Sequence, residues 1–285
     1  MLKLAFEFFE VNEVTLHVAR AGDKSGETIV LLHGFPEFWY GWRKQLTFFA
    51  DHGYQVVAPD QRGYNLSSKP QETEAYTLEK LTADIVALIR QLNSGKVVLI
   101  GHDWGGVVAW AIAIHFPDLL HKLVILNMPH PAIMQQHLRS NPRQMFRSWY
   151  AAFFQIPVLP EQAAQAFDFK LLEQSMAGTA NAGTFSEEDL ATYREAWEQP
   201  GALTSMINWY RAFKYTKLEL DKDITVPTLM LWGKKDAFLG AEMALPSINR
   251  CTNGKLLFLD QATHWLHHEE PEKVNQEIIA FLKST

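Results

Sequence analysis

Six residues near the middle of the chain, Gly101-His102-Asp103-Trp104-Gly105-Gly106, constrain the fold more than any other feature. They follow a short apolar run (residues 97–100) and precede a longer apolar run of helical length (residues 107–114). Small residues flanking a single functional side chain between a strand and a helix describe a sharp turn that holds that side chain up at the strand's end. Its glycines are needed because a Cβ at the flanks of so tight a turn would collide with backbone. An isolated aspartate before a helix is ordinarily a cap; in this six-residue setting Asp103 reads as a nucleophile.

A carboxylate nucleophile narrows the chemistry. Serine attacking a saturated carbon would end as an inert ether. A carboxylate doing so becomes an ester, which water can cleave to regenerate the side chain. Carboxylates are ionised near neutral pH and need no base to activate them. Asp103 is therefore expected to open an alkyl C–O or C–halogen bond.

Other strand-like runs surround this one. Alternation at Phe6 and Phe8, then at Val14, Leu16 and Val18, predicts an antiparallel pair joined through Asn12-Glu13. Buried strands are predicted at 29–32, 55–58, 96–100, 123–126, 228–232 and 255–259. Helical spacing lies between them, as in Leu81, Ile85, Leu88, Ile89, Leu92 and in Val274, Ile278, Phe281, Leu282. The alternation predicts an α/β protein with a mostly parallel, doubly wound sheet covered on both faces. It stops between about 129 and 219, where proline-punctuated helical segments occur without a strand. Ser186 with Asp189 reads as a capping box opening one of them. The expected organisation is a core of residues 1–128 and 220–285 with an inserted helical lid of residues 129–219.

At 285 residues and 47% hydrophobic, the chain can bury a large core. A formal charge of −6 without a basic stripe argues against nucleic-acid or anionic-membrane partners. The single cysteine, Cys251, excludes an internal disulfide framework and reads as a packing residue. Residues 1–11 carry Lys3 but too short an apolar stretch for a signal-peptide core, and no run is long enough to cross a bilayer. A cytoplasmic protein, monomer or homodimer, is expected.

Ligands of open parallel sheets bind beyond the carboxyl ends of the strands, and the remaining informative residues fall there. His33-Gly34-Phe35-Pro36 follows one strand, Asp236 another, and Thr263-His264-Trp265 the last. The backbone N–H groups of Phe35 and Trp104 would form an oxyanion hole, in which one donor is typically worth about 3 kcal/mol. His33 is expected to brace its loop. The order nucleophile, acid, histidine casts His264 as the base for water and Asp236 as its orienting partner. His267 and His268 are rivals expected on the solvent-facing approach to the last helix, and Asp260 is a rival for Asp236. No His/Cys/carboxylate spacing suggests a metal, and no cofactor is expected.

The runs HGFPEFWYGWR (33–43), DQRGYNLSSKP (60–70) and GHDWGG (101–106), with Asp236 and His264-Trp265, resemble the epoxide hydrolase branch of the α/β-hydrolase family over nearly the whole chain. Asn65 departs from the glycine usual there, a small change because Asn tolerates a left-handed backbone. The resemblance implies an α/β-hydrolase fold and a small apolar epoxide, or another alkylating small molecule, as partner. It also implies that two lid tyrosines donate to the epoxide oxygen. Tyr150 and Tyr210 match those positions, with Met206, Tyr210 and Phe213 on one helical face. The product would be a vicinal diol, released from an aspartyl alkyl-enzyme ester by His-activated water.

The nearest rival is a haloalkane or haloacid dehalogenase with the same Asp-His-Asp set, for which the Trp104 indole would contact halide. Phe35 after His-Gly, the lack of Arg or Lys at 104–121, and Tyr150-Ala151 in place of a lid His-Trp pair count against it. A non-catalytic ligand receptor is a third reading, although no catalytic position is lost. His130 is left to line the pocket or cap a helix. Met134, Phe146, Trp149, Phe154 and Trp197 suit either an apolar pocket or a lid core.

Overall fold

In a computed structural model, residues 4–284 are described; Lys3 lies outside them. Eight strands form one sheet: β1 (Ala5–Val11), β2 (Val14–Ala21), β3 (Thr28–Leu32), β4 (Gln55–Pro59), β5 (Val97–His102), β6 (Leu120–Leu126), β7 (Thr228–Gly233) and β8 (Gly254–Leu259). Their order is β1-β2-β4-β3-β5-β6-β7-β8. β2 runs antiparallel to both β1 and β4, and the remaining pairs are parallel. The opening turn falls at Asn12, which takes the left-handed conformation (φ 48°). Phe6 and Phe8 sit on its solvent-facing side, where both rings pack against His17.

The inner strands β3, β4, β5 and β7 are buried on both faces, which explains their unbroken apolar runs, while the edge strand β8 is only half-buried. Val30 and Leu32 face one hydrophobic cluster, while Ile29 and Leu31 face the other. Helices α1 (Arg43–Asp51), α2 (Leu78–Gln91) and α3 (Trp104–His115) cover the first half of the sheet. α3 is buried along most of its length, so it has no polar face to display. Between β6 and β7 come α4 (Pro131–Ser140), α5 (Pro142–Arg147), α6 (Trp149–Phe153), α7 (Leu159–Gln165), α8 (Lys170–Ala177), α9 (Glu187–Trp197) and α10 (Ala202–Ala212), with no strand longer than an isolated bridge. The capping box at Ser186 and Asp189 opens α9, with both reciprocal bonds formed. α11 (Ala244–Ile248), α12 (Leu266–Glu269) and α13 (Pro271–Lys283) complete the chain, and α13 packs its apolar stripe beside α1. No helix among the described residues is long and apolar enough to cross a membrane.

β5 runs through His102, so the turn begins at the strand's last residue. α3 then starts directly under β3: a Cβ on Gly105 would lie 2.1 Å from the Leu32 carbonyl oxygen. Gly105→Ala must push strand and helix apart. It is expected to lower stability by about 3 kcal/mol or more, read as a reduced urea midpoint; an unchanged midpoint would refute the close approach.

Candidate active site

Asp103 sits in the turn with φ 50° and ψ −125°, a conformation a non-glycine residue adopts only under constraint, at a cost of about 1–3 kcal/mol. The constraint comes from both sides. α3 leaves from the next residue, and the loop after β3 presses on the side chain: a Cβ on Gly34 would lie 2.3 Å from that of Asp103. This contact brings the Phe35 N–H to Asp103 Oδ1 at 2.8 Å. Trp104 opens α3, so its N–H has no intrahelical partner. The other carboxylate oxygen, Oδ2, faces His264 Nε2 at 3.6 Å.

His264 follows β8 and is almost completely buried. Its Nδ1 donates to Asp236 Oδ2 at 2.8 Å, which directs Nε2 toward Asp103. Asp236 is held on every side. Oδ1 accepts from the N–H groups of Phe238 (2.7 Å) and Leu239 (2.9 Å), and Oδ2 also accepts from Asn127 Nδ2 (2.5 Å). Burial works against its charge, but His264 and these donors keep its carboxyl below the usual carboxylate range. Burial likewise opposes charge on His264, yet the Asp236 carboxylate, with Asp103 and Glu37 beyond, pushes it up to about 9. Asp260, the sequence rival of Asp236, is paired with Lys234 at the surface.

A cavity of about 270 Å³ opens over these groups. Asp103, His264, Phe35, Tyr150 and Tyr210 line it, together with Trp149, Phe154, Phe238 and other apolar residues. Asp236 lies behind His264, and Trp104 beneath Tyr210, edge-to-face at 5.0 Å. α6 supplies Tyr150 and α10 supplies Tyr210, their ring centroids 5.9 Å apart. Burial and the nearby Asp103 charge raise the hydroxyl pKa of Tyr150; burial, Tyr150 and Asp103 raise that of Tyr210. Both hydroxyls keep their protons at neutral pH. Of the five aromatic and Met residues left between pocket and lid core, Trp149 and Phe154 line the cavity. Trp197 is buried, donating to the Pro36 carbonyl at 2.7 Å, and Phe146 points to solvent. An open hollow beside Arg139, Asp221 and Arg250 contains none of the predicted residues.

His33 braces its loop as expected. Its Nε2 accepts from the Gln61 N–H (3.0 Å), which leaves Nδ1 to donate to the Gly34 carbonyl (3.0 Å). His130 caps α4, accepting from the Ala132 N–H, and lies outside the cavity lining. Asn65 has φ 42° and its amide donates to Asp60.

His267 and His268 are not solvent-facing. Both are buried on α12, which turns inward to meet a carboxylate more than two hundred residues earlier. His268 Nε2 lies 2.7 Å from Glu37 Oε1, while Glu37 Oε2 lies 3.4 Å from both His267 Nε2 and His102 Nδ1. Tyr193 of α9 donates to Oε1 at 2.6 Å, and His102 Nε2 meets the His264 carbonyl at 2.9 Å. Burial pushes the pKa of His267 and His268 down. Glu37, His267 and His268 are the group among the described residues whose ligand-type atoms come within 4.8 Å of one another. The 2.7 Å Glu37–His268 separation is hydrogen-bond spacing, whereas two ligands of one zinc ion stand about 3.3 Å apart. Glu37, hydrogen-bonded to Tyr193 and His268, forms a buried brace behind the site. Sequence reading passed over Glu37 inside HGFPEFWYGWR and over Asn127. The signal for Asn127 was present, since it follows β6 directly, where the other site residues follow their strands.

A family model of the alpha/beta hydrolase fold matches residues 27–271. The AB hydrolase superfamily protein YfhM of Bacillus subtilis (strain 168) is 47% identical over 98% of this chain and 98% of its own length. Epoxide hydrolase 4 of Mus musculus is 43% identical over 94% of this chain and 76% of its own. A crystal structure of a mutant epoxide hydrolase from Bacillus megaterium, complexed with its naphthyloxy-propanediol product, superposes with a TM-score of 0.90. It is 30% identical and covers 98% of this chain and 100% of that one.

The His264 shift carries a stability consequence. Its folded value, about 9, lies above its ordinary 6.5. The stabilisation is therefore complete below about 6.5 and fades as pH climbs through about 9. The urea midpoint is expected to fall across that window. The part due to this residue should vanish in His264→Gln, and parallel pH profiles for the two proteins would refute the ion-pair assignment.

Proposed function

The chain belongs to the α/β-hydrolase fold family, to its epoxide hydrolase branch, and from that membership we propose that it opens epoxides through a covalent ester on Asp103. In the first step Asp103 Oδ2 attacks one ring carbon as the bond from that carbon to the epoxide oxygen breaks. Tyr150 and Tyr210 donate to that oxygen, and one of them gives it a proton. In the second step His264 Nε2 removes a proton from water, which attacks the ester carbonyl carbon. The charge that develops on Oδ1 is met by the N–H groups of Phe35 and Trp104. Collapse expels the alkoxide, which takes the proton held by His264, the proton left on the Asp103 carboxyl restores the tyrosine hydroxyl, and the vicinal diol leaves.

The observation that carries this reading is the division of labour on one carboxylate. Oδ1 already sits against an oxyanion donor and Oδ2 faces both the histidine and the tyrosine-lined cavity. Neutral, buried tyrosines suit protonation of an alkoxide, which a halide leaving group does not need. The cavity lining contains no Arg or Lys to hold a haloacid carboxylate. Its apolar walls suit a small uncharged epoxide. The reading makes residues 129–219 a lid on a core of 1–128 and 220–285, since both tyrosines come from the former and the Asp-His-Asp set from the latter.

Side-by-side assay of styrene oxide, a haloalkane and a haloacetate is expected to give turnover on the epoxide alone. In heavy-oxygen water, repeated cycles should place label in the Asp103 carboxylate; an unlabelled Asp103 after many turnovers would overturn the ester mechanism. Asp103→Asn should lose about 10⁴-fold in rate before any deamidation, and His264→Gln should accumulate an intact-mass adduct with the epoxide. Removing both hydroxyls as Tyr150→Phe with Tyr210→Phe is expected to slow ester formation by about 10²–10⁴-fold; parent-like formation would exclude them as the acid.

A further inference from the structure

One fully buried amide joins the loop carrying Asp236 to the segment carrying Tyr150. Gln144 lies in α5, whose first turn is capped by the Asn141 side chain accepting from the N–H groups of Arg143 and Gln144. Gln144 Nε2 donates to Ser148 Oγ (3.0 Å) and to the Phe238 carbonyl (2.8 Å), and Oε1 accepts from the Gly240 N–H (3.0 Å). Turning the amide over would set oxygen against a carbonyl and NH₂ against an N–H, so its partners define the orientation. Both backbone partners belong to the loop of residues 236–240, whose first residue takes the Phe238 and Leu239 N–H groups on Oδ1. Ser148 immediately precedes α6, the helix of Tyr150. Between the two halves stands the Phe238 ring, edge-on to Tyr150 (5.8 Å, 85°) and to His264 (5.2 Å, 76°).

We propose that Gln144 is a positioning residue that holds the ring-opening acid Tyr150 and the water-activating pair His264–Asp236 in one register. The inference rests on the roles assigned above to those three residues. Gln144 itself does not line the cavity and touches no reacting atom; it acts through Ser148 on one side and Phe238 on the other. An amide does this where a hydrocarbon would not, because two donors and an acceptor fix three partners at once. Displacements well below the size of an atom at a reacting centre cost rate, and about 1 Å costs on the order of a hundredfold.

The test is rapid-mixing kinetics with styrene oxide, following ester formation and ester hydrolysis separately and normalising to the fraction of protein that forms ester. Gln144→Leu deletes all three bonds at nearly constant volume and is expected to slow both steps by about tenfold or more, with kcat falling more than KM changes. Gln144→Glu keeps the acceptor for Gly240 but, ionised, cannot donate to the Phe238 carbonyl. Protonated, it can. Its ester-forming rate relative to the parent's is therefore expected to recover as pH falls, which mere filling of space would not produce. If Gln144→Leu does not fold, Ser148→Ala cuts only the Tyr150 side and should slow ring opening more than hydrolysis. Parent-like rate constants in the folded variants, with only a lowered melting midpoint, would overturn the coupling. A parent protein that forms no ester would sink both this inference and the functional reading, whereas parent ester with unaffected variants sinks the coupling alone.

Discussion

The structure turns on the contact between Gly34 and Asp103. With hydrogen as its only side chain, Gly34 lets the loop after β3 close on the Asp103 methylene, and that approach places the Phe35 N–H on one carboxylate oxygen. The strained backbone at Asp103 exists only because this loop and the N-terminus of α3 both fix it. Much of the surrounding machinery holds that loop. His33 and Gln61 lock it to the strand end after β4, Trp197 donates to the Pro36 carbonyl, and Glu37 is gripped by Tyr193 and His268. Glu37 is costly to bury without a lysine or arginine beside it. It is compensated by donors from α9 and α12, so the same loop also ties the helical insertion to the core.

What sequence could reveal follows from the range of the forces involved. The strands of the parallel sheet are local apolar runs, and each was legible within a few residues. The candidate nucleophile, acid and histidine were legible because each follows its strand directly, so that topology carries them to one edge. The capping box at Ser186 and the left-handed Asn65 were legible because their physics lies within four residues. By contrast, the burial of His267 and His268 depends on Glu37, which no periodicity links to α12. In sequence the three look like polar residues near a helix start and in a loop. Gln144 was invisible for the same reason: a glutamine on a short helix gains meaning only from the Phe238 and Gly240 backbone nearly a hundred residues away. Alternation at Phe6 and Phe8 located the first strand, while the edge of the sheet leaves those rings exposed.

Charge bookkeeping at the site suits its histidine to the two-step reaction proposed above. In the free protein His264 stands between the Asp236 and Asp103 carboxylates, with Glu37 behind, and their charges raise it to about 9. An imidazolium beside the nucleophile is harmless to ring opening, because Asp103 needs no base. Ester formation as proposed would remove the Asp103 charge, which lies 3.6 Å from Nε2. Losing a nearby anion lowers the affinity of the imidazole for its proton. In the proposed mechanism the covalent step would thus shift His264 toward the neutral form that water activation requires, while Asp236, held by Asn127 and two backbone N–H groups, keeps the ring aimed. On that proposal the ester itself would generate the base that removes it.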